Sequence, residues 1–173
     1  MKACSFFGHR KIEITPELRE KLTKTLSWLI VEKGVSKFLF GDKSCFDDFC
    51  QEVVKELKLE YPHIKRVYVR TTYPELGEPY LGYILRDFEE TYVPKGIEYV
   101  GKARYIKRNK AMVDESDYCV FYYNPNYQPP KRKFSKRDLT DYQPQSGTKL
   151  VYEYAMRKQY GGKDLTMINL WQS

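Results

Sequence analysis

The stretch MVDESDYCVFYYN, Met112 to Asn124, decides how the chain is read. A polar, acidic segment ends at Asp117, and six apolar or aromatic residues then follow without interruption, Tyr118 to Tyr123. A strand with one face in water alternates apolar and polar residues; a continuous apolar run fits a strand covered on both faces, as in a parallel sheet between helical layers.

Working outward, the same grammar recurs. Lys2 to Phe7 is a short apolar run and predicts a buried strand, followed by the polar turn Gly8-His9-Arg10-Lys11. Residues 15–34, TPELREKLTKTLSWLIVEKG, predict a helix: Thr15 as cap, Pro16 in the first position, Gly34 after the last turn, and Leu18, Leu22, Leu26, Leu29 and Ile30 at helical spacing. SKFLFG (36–41) predicts a second strand, residues 44–62 a second helix ending before Pro62, and IKRVYVRTTY (64–73) a third strand. LGYILRDFEETY (81–92) reads as a helix. Residues 97–116 hold another, with a short strand expected at Ile97 to Val100. SGTKLVYEYAMRKQYGG (146–162) predicts the last helix and LTMINLW (165–171) the last strand. Alternation of strand and helix implies an α/β domain, a Rossmann-like three-layer sandwich with a mainly parallel sheet, formed as one domain over 1–173.

Thirty Lys and Arg against 23 Asp and Glu give +7, which favours anionic partners. The first residues lack the apolar length and small-residue pattern of a signal peptide, and no run approaches the ~20 residues of a membrane span. A cytoplasmic protein with no membrane partner is therefore expected. The four cysteines, 4, 45, 50 and 119, form no C-x-x-C pair, and His9 and His63 have no co-ligands at zinc spacing, so no metal site is expected. Cys4 and Cys119 fall in apolar runs and read as buried thiols; Cys45 sits near a helix start, where a thiol's pKa can fall.

Ligands of open parallel sheets bind beyond the carboxyl ends of the strands. Three turns should converge there. In the first, Gly8 allows close backbone approach while His9 and Arg10 supply donors, Arg10 as a fork for phosphate or carboxylate. The second, Gly41 to Phe49, opens a helix whose amide groups favour an anion, with Asp42, Asp47 and Asp48 available to cap it or to meet ribose hydroxyls. The third, Ser146-Gly147-Thr148, starts the last helix with small residues and free amide groups, as a phosphate seat or as an ordinary cap.

Taken together, FFGHR, RNKAMVDESDYCVFYYN and SGTKLVYEYA resemble the SLOG superfamily of Rossmann-like domains, which includes the LOG and DprA proteins, and look closest to the small bacterial YpsA-like proteins. The resemblance implies a nucleotide or nucleotide-derived ligand (a nucleoside phosphate, ADP-ribose or an NAD-like molecule), with the chain acting as a sensor or regulator; no further cofactor is implied. It carries over Gly8, His9 and Arg10 in the first turn, Gly41 and Asp47 in the second, Arg108, Asn109, Met112, Asp114 and Asp117 in the R-N-x-x-M-V-D-x-S-D segment, and Gly147 and Thr148 at the last helix. Asp47 and Asp117 are candidate ribose acceptors, and Phe46 or Tyr152 a candidate base platform. Relatives of this fold often form homodimers. Where LOG phosphoribohydrolases place a catalytic glutamate, three residues after the threonine, this chain has Val151, and Glu153 points about 200 degrees away on a helix.

Two other functions stay open on the sequence. An enzyme breaking an N-glycosidic bond needs a carboxylate near the anomeric carbon, for which Asp47, Asp114 and Glu153 are the candidates. Single-stranded nucleic acid is the other, through the basic, Tyr- and Pro-rich insert at about 124–145. There Lys131, Arg132, Lys133, Lys136 and Arg137 lie between Tyr122, Tyr123, Tyr127 and Tyr142, a pattern suited to phosphate contact and base stacking. The insert could equally serve as a lid over the crevice or as a solvated loop.

Overall fold

The computed structural model describes residues 1–41, 44–71, 78–97, 103–129 and 147–172. In chain order these form β1 (Lys2–Gly8), α1 (Pro16–Val31), β2 (Val35–Phe40), α2 (Cys45–Glu60), β3 (Lys65–Val69), α3 (Glu78–Ile84), β4 (Glu90–Tyr92), α4 (Arg104–Glu115), β5 (Tyr118–Tyr122), α5 (Gly147–Tyr160) and β6 (Thr166–Asn169). The six strands make one sheet in the order β4-β3-β2-β1-β5-β6, and every pairing is parallel. This is a Rossmann-like three-layer α/β fold.

The apolar runs are explained by burial on both sides. Along β5, Tyr118 and Val120 enter the core formed with α1 and α2, while Cys119 and Phe121 enter the one formed with α4 and α5. β1 and β2 divide the same way: Cys4, Phe6, Phe38 and Phe40 face the first core, Phe7 and Leu39 the second. Ser5 is the polar exception in β1. Its hydroxyl pairs with that of Ser116 at 2.5 Å, and Ser116 donates to Met112 O at 2.7 Å, so this buried pair is satisfied where α4 meets the sheet.

Local chemistry sets the helix starts. Thr15 Oγ1 accepts from Leu18 N at 3.1 Å, with Pro16 opening α1. Ser44 Oγ accepts from Asp47 N at 3.0 Å and caps α2, so neither Asp47 nor Asp48 caps it; both lie in its first turn, where a carboxylate meets the positive end of the helix dipole. Asp42 lies outside the described residues.

Residues 81–92 do not form one helix. The helix stops at Ile84, and Glu90–Tyr92 pair with Val67–Val69 as an edge strand. Glu89 locks that edge: its carboxylate accepts from Arg66 N at 2.6 Å and from the Arg66 guanidinium at 2.8 Å, which outweighs the helical spacing of Leu81, Ile84 and Leu85. Of the short strand expected at Ile97–Val100, only Ile97 lies within the described residues, and it is not in a strand.

Sheet growth reverses at β1. The chain builds outward through β2, β3 and β4, then returns to place β5 on the other side of β1. The crevice beyond the carboxyl ends of these two strands is the switch point of the fold. Gly8 ends β1 there because a Cβ on it would lie 2.3 Å from the Phe46 ring, itself fully buried at the start of α2. Gly8→Ala is therefore expected to destabilise the protein by roughly 1–3 kcal/mol through overpacking. A urea denaturation midpoint equal to that of the wild type would contradict this.

Candidate functional site

A cavity of about 800 Å3 opens at that switch point. The turn after β1 supplies Gly8, His9 and Arg10; the end of β2 and the start of α2 supply Gly41, Ser44 and Asp47; α4 supplies Arg108, Asn109 and Met112; and α5 supplies Gly147, Thr148 and Val151. The first two turns are tied together by a hydrogen bond from Cys45 N to Arg10 O at 3.0 Å.

Arg108 is the most constrained cation here. It is buried, yet its Nη1 donates to Gly41 O at 2.6 Å, its Nε and Nη2 donate to Asn109 Oδ1 at 3.3 and 3.1 Å, and its guanidinium lies 5.7 Å from the Tyr105 ring centre. Gly41 must be glycine for this packing, since a Cβ would sit 2.8 Å from Arg108 Nε and 2.7 Å from Met112 Sδ. Asn109 thus acts on the cavity partly through Arg108.

His9 is buried as well. Its Nε2 accepts from Asn124 N at 2.9 Å, which fixes the neutral ring with its proton on Nδ1. Tyr127 stacks on the imidazole at 3.9 Å and 13°. The loop leaving β5 is folded on itself, with Tyr127 N donating to Asn124 O at 3.0 Å and Asn126 N to Asn124 Oδ1 at 2.9 Å. Its docking on His9 brings Tyr127 and Pro129 to the cavity wall. Burial pushes the His9 pKa down to about 4.

The three acids offered for catalysis separate. Asp47 lines the cavity and is buried. Asp114 does not line it: its carboxylate accepts from Tyr154 Oη at 2.9 and 3.0 Å and pairs with Lys158 at 3.3 Å between α4 and α5. Glu153 does not line it either and lies 4.0 Å from Lys149, while Val151, two residues earlier, faces inward and is buried. Asp117 is also removed from the site. Its carboxylate accepts from Ala3 N at 2.9 Å at the amino end of β1, five residues and roughly 17 Å of strand from Gly8, so it clips the strands together at the opposite rim. The base platforms fail for similar reasons: Phe46 is sealed beneath Gly8, and Tyr152 is packed on Tyr123 and Phe121.

Ser146 and the basic residues Lys131, Arg132, Lys133, Lys136 and Arg137 lie outside the described residues. The lining also contains groups that the sequence reading passed over, Tyr68, Thr71, Tyr105 and Lys110, and it includes Tyr127, which the sequence offered only as a stacking residue beside the basic insert. Tyr105 was within reach, because three residues before Arg108 on a helix is the same face. Tyr68 required knowing where β3 ends. Of the cysteines, Cys4, Cys50 and Cys119 are buried, and burial raises the pKa of each thiol, that of Cys119 to about 12. Among the described residues no cluster of His, Cys, Asp and Glu could hold a metal ion, and no helix is long and apolar enough to cross a membrane.

The model of the YspA SLOG family matches residues 4–157, and the chain belongs to that family. Membership makes it a nucleotide-related Rossmann-like protein. No curated protein matches the chain.

The buried histidine gives the site a pH signature. With its folded-state pKa near 4 and an ordinary value of 6.5, the unfolded chain takes up this proton first on acidification. Its contribution to stability is full above about pH 6.5 and is lost as pH falls through the window towards 4. The melting temperature should therefore drop less between pH 7 and pH 5 in His9→Gln than in the wild type. Parallel pH dependences in thermal melts would contradict this.

Proposed function

We propose that the cavity binds a nucleotide or nucleotide-derived ligand, such as a nucleoside phosphate, ADP-ribose or an NAD-like molecule, and that the protein acts as a sensor or regulator through that binding. The supporting observation is convergence: Arg10, Arg108 and Thr148, from three distant parts of the chain, line one crevice at the switch point of a parallel sheet.

In this reading the phosphate lies between the β1 turn and the start of α5. Backbone amide groups at Gly8 and Gly147, the Thr148 hydroxyl and the Arg10 guanidinium act as its donors. Arg108, pinned to Gly41 O, contributes fixed positive charge in a partly dry setting, where it acts more strongly than in water. Asp47 accepts from ribose hydroxyls. Tyr68 and Tyr105 present aromatic faces for the base, Tyr105 being 47% exposed. Binding without turnover is favoured by the residue at the LOG glutamate position, Val151, which presents an apolar side chain to the cavity.

Calorimetry with AMP, ADP, ADP-ribose and NAD tests the reading. At least one should bind. Arg10→Ala should weaken it about tenfold or more, as expected for loss of a charged hydrogen bond, and Thr148→Ala by a smaller factor. If none binds the wild type, or if both variants bind as it does, the reading fails.

A further inference from the structure

Arginine grips a phosphate or carboxylate with two parallel N–H groups, from Nε and one Nη on the same edge of its guanidinium. In Arg108 that edge is engaged within the protein. Its Nε and Nη2 both donate to Asn109 Oδ1, at 3.3 and 3.1 Å, while Nη1 donates to Gly41 O at 2.6 Å. The buried guanidinium is anchored on two sides.

These contacts fix the polarity of the Asn109 amide. A guanidinium can only donate, so the amide atom facing it is the oxygen, and the NH2 group lies on the other side of Cγ. Asn109 is half-buried and lines the cavity, as do Tyr105 and Met112, four residues before it and three after. Residues at that spacing share a helix face, so Asn109 stands in the middle of the α4 stripe that forms this wall. Among the described residues nothing accepts from its Nδ2, and the atom remains open to solvent. Its two N–H donors are thus presented to the cavity.

An amide whose oxygen accepts from a buried cation is polarised along its length, which strengthens its N–H groups as donors. The positive charge of Arg108 therefore reaches the cavity through a neutral group of fixed direction. A bare cation attracts an anion from any side. An oriented amide requires an acceptor in line with its N–H bonds, and the charge behind it favours an acceptor that is negative.

We propose that Asn109 contacts the ligand directly, donating from Nδ2 to a phosphate oxygen, and that Arg108 is a positioning residue that sets the amide without itself touching the ligand. This rests on the nucleotide-binding reading above and deepens it. The division of labour follows from the contacts: the guanidinium edge suited to a phosphate is filled by Asn109 Oδ1, and the donors left facing the cavity at this point belong to the amide.

Side-chain 15N spectra of the labelled protein separate the two roles. Titrated with whichever of AMP, ADP, ADP-ribose and NAD binds most tightly, the Asn109 NH2 signals should shift. The Arg108 Nε–H signal, whose acceptor is unchanged, should stay in place. Asn109→Asp keeps an acceptor for Arg108 but loses both donors and adds a negative charge. Its melting temperature should stay within about 3 °C of the wild type, and its affinity should fall about tenfold or more, as for loss of one charged hydrogen bond. The wild-type spectra decide the question even where the variant is unstable. An Arg108 Nε–H signal that moves as far as the Asn109 pair means that the ligand takes the guanidinium edge itself, and the assignment is overturned. Unshifted Asn109 signals, or wild-type affinity in Asn109→Asp, overturn it too, and each of these results leaves nucleotide binding standing. If none of the four binds the wild-type protein, the functional reading falls and this inference with it.

Discussion

A single hydrogen bond, from Arg108 Nη1 to the Gly41 carbonyl at 2.6 Å, holds together most of what matters in this molecule. Arg108 comes from the helical layer on one face of the sheet, and Gly41 from the end of a central strand. Taking a guanidinium out of water is costly, and the cost is offset only where its donors are engaged. Here they meet a backbone carbonyl and the Asn109 amide oxygen. The bond therefore fixes α4 against the sheet and fixes positive charge in the cavity wall in one stroke. Gly41 follows from it, since any side chain there would occupy the space of the guanidinium.

The fold was legible because its signals are local and repeated. Apolar runs without alternation in β1 and β5, a Thr-Pro start to α1 and leucines at helical spacing each specify one element, and the alternation of elements specifies a parallel sheet. The failure at 81–92 is equally physical. Helical spacing extends through Leu85, but the outcome is decided by Glu89 reaching Arg66 across the sheet edge, a contact more than twenty residues distant. Sequence spacing carries no information about such a partner.

The site was legible where it depends on turns and less so where it depends on direction. Gly8, Arg10, Gly41 and Thr148 lie at strand ends and helix starts, so their positions follow from topology. The acids were harder. Asp114 and Asp117 stand only three residues apart, one at the seam of α4 and α5 and one at the amino rim of the sheet, and both are engaged there. A motif places such residues near one another in sequence without saying which end of the sheet they serve. The result is a cavity rich in donors and poor in carboxylates, an arrangement that suits holding an anion.

The most direct measurement is a titration of the 15N-labelled protein with ADP, followed by amide chemical shifts. The account predicts that the largest changes fall on Gly8, His9, Gly41, Gly147 and Thr148, with Asp117 and Ala3 at the far rim left in place. Changes confined to another surface, or none at millimolar ADP with the same result for ADP-ribose, would contradict it.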